Sequence, residues 1–87
     1  MATVLIRFDG GNVPVVTGAT PPDKDTPISN PTQTGFETNV PFRVDEGEYC
    51  FGLDTPIPYE PPWQVVQAVD GVPTNISFRR TSRRTGP

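Results

Sequence analysis

Alternating apolar and polar residues run through most of the chain, and this pattern predicts strands. Val4, Ile6 and Phe8 lie at every second position, with more polar neighbours between them, which is typical of a half-buried strand over residues 2–8. Gly10 and Gly11 follow, and both accept positive φ angles. The pattern therefore predicts a tight hairpin that leads from this strand directly into a second one at 12–16.

Two more alternating segments occupy the middle of the chain. Residues 36–44 carry large or β-branched side chains at every second position, and Pro41 among them indicates a bulge or an edge strand. Residues 48–53 form the next predicted strand after a turn at 45–47. Its expected inward side chains are Tyr49, Phe51 and Leu53, with Cys50 and Gly52 on the opposite face.

The last two predicted strands flank Asp70-Gly71, which has the composition of a hairpin turn. Residues 63–69 are apolar on both faces, so this strand is expected to be central in its sheet. Residues 74–78 follow, with Thr74, Ile76 and Phe78 inward. Six short strands separated by turn residues predict an all-β fold, which fits a small antiparallel β-sandwich or a partly open barrel, and the sandwich is the expected form.

Two proline-rich connections interrupt the strands, at 18–35 and 54–62. The first has one large apolar residue, Ile28, so it is expected to run over the surface, either as an interaction arm or as a spacer that crosses between two sheets. In the second, the prolines favour an extended backbone that presents aromatic rings to a partner, or the same rings cover one end of the core. The candidate interaction residues are Pro21, Pro22, Pro27, Ile28, Pro31, Ile57, Tyr59 and Trp63.

Length and charge set the domain organisation. The 87 residues suffice for one core, so we expect a single domain over 1–78 and a flexible tail over 79–87. Residues 1–78 carry ten carboxylates and three cations, whereas the tail is basic. An acidic body repels polyanions, which argues against nucleic-acid binding beyond nonspecific tail contacts with phosphate. The basic residues of the tail are Arg79, Arg80, Arg83 and Arg84.

The side chains needed for most catalysis are absent from the sequence. There is no histidine, which removes the commonest general base and the commonest transition-metal ligand. The single cysteine, Cys50, falls in mid-strand and is expected to be a small core residue. The acidic clusters at 23–25 and 45–48 lack the spacing of a calcium loop. We therefore expect no enzyme activity, no cofactor and no metal.

No segment is apolar and long enough to serve as a signal peptide or a membrane span. A chain with one cysteine also forms no internal disulfide, which suits a reducing compartment. The expected location is cytoplasmic, or external after export without a cleaved signal peptide.

Residues 40–78 also resemble a known group of domains. Gly47, Tyr49 and Leu53 at their spacing, followed by Tyr59-Glu60-Pro61 and by a strand pair closed at Gly71, are similar to the PEGA domain and to the carboxypeptidase-regulatory, transthyretin-like sandwiches. The tetrapeptide that names the PEGA domain is absent, and the 18–35 connection has no counterpart in the pattern. The resemblance implies a β-sandwich with a binding or structural role and no catalytic residues.

Two functions fit these observations. The first is a non-catalytic structural or protein-interaction module, a subunit or adaptor whose partner is another protein or a second copy of the chain. Partner chains would add buried area to a thin core and cover a free strand edge. The alternative is a stand-alone sandwich that recognises carbohydrate or peptide through Tyr59 and Trp63.

Overall fold

The computed structural model describes residues 1–81, which form two four-stranded β-sheets and contain no helix. The strands are β1 (Ala2–Phe8), β2 (Pro14–Thr17), β3 (Thr32–Glu37), β4 (Phe42–Val44), β5 (Gly47–Leu53), β6 (Tyr59–Glu60), β7 (Gln64–Ala68) and β8 (Thr74–Arg80). The first sheet has the order β4-β1-β8-β6 and the second the order β3-β2-β5-β7. The all-β sandwich expected from the sequence is confirmed, but it has eight strands and not six, because the predicted strand at 36–44 is divided into β3 and β4 and because β6 lies within the predicted 54–62 connection.

One hydrophobic core lies between the two sheets. In β1, Val4 and Ile6 are fully buried, while Thr3, Leu5 and Arg7 are partly or fully exposed, as the alternation predicts. Phe51 of β5 lies at the centre, with its ring stacked on Tyr49 at 5.5 Å between centroids and edge-to-face against Phe42 at 5.7 Å. The core members are Ala2, Val4, Ile6, Phe8, Val15, Phe42, Val44, Phe51, Leu53, Val66, Ala68 and Phe78.

The predicted hairpin at 9–12 is wrong, because β1 and β2 belong to different sheets. Both edges of β1 are already occupied, by β4 in antiparallel and by β8 in parallel orientation. At the end of β1, the Asn39 side chain makes the hydrogen bonds that a neighbouring strand would make. Asn39 Oδ1 accepts from Phe8 N at 3.0 Å, and Asn39 Nδ2 donates to Phe8 O at 2.9 Å. The two glycines therefore carry the chain across the sandwich instead of folding it back.

The predicted strand at 36–44 is in fact two strands in different sheets. β3 ends at Glu37 and β4 begins at Phe42, and the chain crosses the sandwich between them. Asn39 takes a positive φ of 67° in this crossing, which alternation alone does not reveal. Both strands lie at sheet edges, so the edge position inferred from Pro41 is confirmed.

Four further expectations need correction. β7 is an edge strand and not a central one, because among residues 1–81 it pairs with β5 and with no second strand. The pairing of β1 with β8 is parallel, so the first sheet is mixed and not purely antiparallel. β8 extends to Arg80, two residues into the predicted tail, where Arg79 and Arg80 pair with β6. The turn at Asp70-Gly71 is present, with Val72 N donating to Val69 O at 3.1 Å, but its two strands enter different sheets.

Candidate functional site

Tyr59, one of the two predicted recognition aromatics, is part of the fold. Its ring packs edge-to-face against Phe8 and Phe78, with centroids 6.1 and 5.6 Å apart. Its hydroxyl accepts from Leu53 N at 3.1 Å and donates to Leu53 O at 3.0 Å, which caps the end of β5. Ile57 also packs against the core. These two residues therefore cover one end of the core. This is the second of the two roles that the sequence analysis gave to the 54–62 connection.

Trp63 is half-buried beside the open groove between the 18–31 connection and β8. Its indole Nε1 donates to Thr26 O at 2.8 Å, which fixes the ring. The groove encloses about 520 Å³, and its walls mix apolar with oppositely charged side chains. The lining residues are Lys24, Asp25, Glu60, Pro61, Pro62, Trp63, Ser77, Phe78 and Arg79.

The first proline-rich connection lies on the outer face of the second sheet. It joins β2 to β3, which are neighbours in one sheet, so the expectation that it crosses between two sheets is wrong. Ile28 is half-buried against Gly18 and Gly52, where glycine leaves room for it: a Cβ at Gly18 would overlap the Ile28 Cγ2 methyl. Pro27 and Pro31 line a cavity of about 170 Å³ under the same connection, Pro21 is half-buried and Pro22 is exposed. The role of this segment as an interaction arm stays a prediction, but Ile28 already has an intramolecular contact.

The same connection buries the cysteine. Cys50 is on the outer face of β5, as predicted, yet only 5% exposed, and Val16 on β2 is 4% exposed. Neither belongs to the core between the sheets, so their cover is the 18–31 segment. Burial raises the pKa of the Cys50 thiol, an effect that the hydrogen bond with the Thr20 side chain partly offsets. The thiol is therefore protonated and unreactive near neutral pH.

Gly18→Ala is expected to displace the 18–31 segment from its position over Cys50. The added methyl overlaps Ile28, so the connection shifts and local opening becomes easier by about 1–2 kcal/mol, which corresponds to a roughly 5–30-fold faster alkylation of Cys50. The measurement is the rate of iodoacetamide labelling. Adding Ile28→Leu, which moves the branch away from the Cβ, is expected to restore slow labelling. Equal rates in the wild type and in Gly18→Ala would show that the connection does not cover Cys50.

The basic residues of the predicted tail divide into two pairs. Arg79 forms a salt bridge with Glu60, with Nη2 and Oε2 2.6 Å apart, and Arg80 N donates to Asp9 Oδ1 at 2.7 Å. Arg80 Nε also lies 3.9 Å from Asp9 Oδ2, and since both arginine side chains are exposed, the two ion pairs add little to stability. Arg83 and Arg84 lie outside the described residues.

The sequence indicated a free strand edge, but sequence reasoning missed that β7 forms it. In an antiparallel ladder, the N–H and C=O groups of successive residues point alternately to the two sides. The Cys50 carbonyl accepts from Gly18 N on the β2 side, at 3.3 Å. The groups of Tyr49 and Phe51 therefore point to β7, where their partners are Val66 and Gln64. The backbone groups of the alternate β7 residues consequently face away from β5, toward an edge to which no strand within 1–81 pairs.

Exposed apolar side chains accompany this edge. Val65 and Val69 are 41% and 45% exposed, and Val72, in the turn after β7, is 54% exposed. Met1 is next to this turn, since its amino group forms an ion pair with Asp70 at 3.0 Å. Three of the five exposed large apolar residues in the described chain thus lie on β7 or in the turn after it, and Met1 is beside that turn; the fifth is Val40. The alternation at 63–69 signalled two apolar faces, but it could not show that one of them is uncovered.

The other three sheet edges are protected in ways that β7 is not. β4 and β6 have only three and two residues, and β3 is irregular where it pairs with β2. Short strands and bulges are common means by which proteins prevent edge-to-edge association. β7 has five regular residues without proline or charge. It is therefore the edge best suited to accept another strand.

Residues 1–81 contain no group of three or more acidic, cysteine or histidine side chains that could hold a metal ion. No helix in the same residues is long and apolar enough to cross a membrane. Comparison with known proteins gives no matching family model, curated protein or solved structure.

Proposed function

We propose that this domain is a non-catalytic protein-interaction module, a subunit or adaptor that joins a larger assembly through the edge of β7. The observation that carries the proposal is the combination of outward backbone groups at Val65 and Gln67 of β7, which pair with no strand of residues 1–81, and the exposed side chains of Val65 and, just after the strand, Val69. Backbone hydrogen bonds to an added strand supply affinity, and the alternating side chains supply specificity. The resemblance of 40–78 to non-catalytic sandwich domains supports the same class of function.

The distribution of charged residues favours β7 over other surfaces as the interaction site. Residues 1–78 have ten carboxylates and three cations, yet Gln64 to Val69 include none of them. Charged groups are depleted at the centres of protein interfaces, because removing them from water is costly. An uncharged strand edge in an acidic domain is thus the place where a second protein can approach at the lowest desolvation cost.

Val65→Lys is expected to weaken association at least about tenfold, because a lysine at a strand edge must lose its hydration when another strand pairs there. Size-exclusion chromatography with light scattering measures the effect. The wild-type mass should rise above the 9.5 kDa monomer as the concentration approaches about 1 mM, since a single strand pair buries a small area.

Val40→Lys is the matched control, because Val40 is 42% exposed but lies in the crossing before β4. It should associate like the wild type. If Val65→Lys also associates like the wild type, or if both variants are equally weakened, the surface lies elsewhere and the proposal fails.

The groove beside Trp63 favours a second candidate, a sandwich that binds carbohydrate or peptide. Trp63 is held with its ring at a groove large enough for a small ligand, although Tyr59 is not available there. A wild-type chain that stays monomeric at high concentration, and whose single tryptophan changes its fluorescence saturably with maltohexaose, would favour this candidate over the interaction module.

A further inference from the structure

A cavity of about 170 Å³ lies between the second sheet and the two proline-rich connections. We propose that it binds one small uncharged apolar molecule, about as large as a single six-membered ring. The cavity is formed by β2, β5 and the connections beside them, so this proposal does not depend on the β7 edge. The lining residues are Val16, Pro27, Ile28, Pro31, Gly52, Leu53, Tyr59 and Pro62.

The glycine at position 52 makes room for the cavity. Gly52 lies directly opposite Val16 in the pairing of β5 with β2. A Cβ at position 52 would be 3.2 Å from Ile28 Cδ1 and 3.2 Å from Pro62 O, so any larger residue would fill part of the space. The backbone of β5 therefore bounds the cavity on one side, and the two connections bound it on the others.

The chemistry of the lining favours an apolar molecule over a polar or charged one. Within residues 1–81, no charged side chain lines the cavity. Its one polar side chain is Tyr59, whose hydroxyl is already engaged with Leu53 N at 3.1 Å, Leu53 O at 3.0 Å and Pro62 O at 3.5 Å. Three lining residues are prolines, which have no N–H to donate. A polar ligand would therefore lose its hydration without gaining hydrogen bonds in return.

The volume of the cavity sets the size of the ligand. Apolar cavities of about 150 Å³ in proteins exclude water and take up benzene or xenon, because a water molecule needs about two to four polar partners. This cavity, at about 170 Å³, has room for one such ring. A ring of six heavy atoms is expected to bind with a Kd of about 1 mM, which is well within the ceiling for ligands of this size.

Benzene is the probe for the first measurement, and the methyl groups of the wild-type chain report where it binds. In ¹H–¹³C correlation spectra, the methyl signals of Val16, Ile28 and Leu53 should shift saturably, because the ring current of a bound ring acts only on nearby nuclei. The methyl groups of Val40 and Val72, which are exposed, are the internal control and should not shift. Shifts of similar size at the control valines, or no saturable shift at the lining residues, would overturn the proposal.

Pyridine has nearly the same shape as benzene and tests the chemistry of the site. Its nitrogen accepts a hydrogen bond in water, whereas the cavity offers no free side-chain donor. Pyridine is therefore expected to bind at least about tenfold more weakly than benzene in the same spectra. Equal affinities would contradict the apolar character assigned to the site.

Two substitutions that change the cavity in opposite directions locate the site. Gly52→Ala adds a methyl group inside it, whereas Ile28→Val removes the Cδ1 methyl that faces Gly52. The ratio of toluene to benzene affinity should fall at least about threefold in Gly52→Ala and rise by a similar factor in Ile28→Val, since one methyl group matters in a tight apolar pocket. A looser 18–31 connection would instead weaken both ligands equally. An unchanged ratio in both variants would refute this location.

Occupancy of the cavity should also slow the alkylation of Cys50, which the same connection covers. Benzene under the closed connection stabilises the closed form, so iodoacetamide labelling should be about tenfold slower when benzene is at ten times its Kd. Glutathione labelled in the same solution is the control for the reagent itself. An unchanged rate for Cys50, at a benzene concentration that saturates the methyl shifts, would contradict a ligand held under the connection.

Discussion

Phe51→Ala is expected to lower the free energy of unfolding by about 3–5 kcal/mol, the largest effect of any single truncation in the chain. Phe51 is 1% exposed and touches Tyr49 by stacking and Phe42 edge-to-face. Its removal leaves a cavity at the centre of a two-layer core that is too thin to collapse around it. Since a domain of this size is stable by only about 5–10 kcal/mol, the variant should be largely unfolded in mild denaturant.

Urea denaturation followed by circular dichroism measures this loss. Tyr49→Phe is the control within the same aromatic group: it keeps the ring stacked on Phe51 and removes only the hydroxyl bond to Asp45 O, so about 0.5–1.5 kcal/mol is expected. Losses of similar size in the two variants would mean that Phe51 does not form the centre of the core.

Thr38→Val is expected to cost about 2–3 kcal/mol, although valine has nearly the same shape as threonine. The Thr38 side chain is fully buried in the crossing between β3 and β4. Its Oγ1 donates to Gly11 O at 2.7 Å and accepts from Val13 N at 2.9 Å, so one hydroxyl satisfies two backbone groups of the opposite crossing. Valine leaves Val13 N without a partner, whereas Gly11 O keeps the hydrogen bond from Asn39 Nδ2 at 3.1 Å, so the cost comes from one unpaired N–H and one lost bond to Gly11 O.

Thermal or urea unfolding of Thr38→Ser separates the hydroxyl from the methyl group. Serine retains both hydrogen bonds and loses one buried methyl, for about 1 kcal/mol. We therefore expect Thr38→Ser to be more stable than Thr38→Val. The reverse order would show that packing, and not hydrogen bonding, makes Thr38 important.

The alternation of apolar and polar residues predicted the positions of the strands better than it predicted which strands pair with one another. The core faces of β1 and β5 could be identified from the sequence, because every second side chain of a strand points the same way. The partner of each strand depends on residues far away in the chain. The Gly10-Gly11 turn has the composition of a hairpin, yet Asn39, distant in sequence, provides the hydrogen bonds that end β1. Parallel pairing of the first and last strands leaves no local signature at all.

The candidate site shows the same limit. Prolines and aromatics drew attention to the two connections, but Tyr59 bonds to Leu53 and Ile28 fills the space left by Gly18 and Gly52. In both contacts, the residues come close to each other only once the chain has folded. The β7 edge was visible in the sequence only as a strand with two apolar faces, which describes a central strand and an uncovered edge strand equally well.

The mass of the wild-type chain, measured by light scattering over a concentration series at about 0.05 and 0.5 M NaCl, tests the proposed interaction at β7 most directly. The acidic bodies repel each other and the edge of β7 carries no charge, so salt should strengthen association and the mass should rise further above 9.5 kDa. A monomer at both salt concentrations would contradict the account. So would association that weakens as salt is added, because it would place the contact between arginines and carboxylates instead of at the edge of β7.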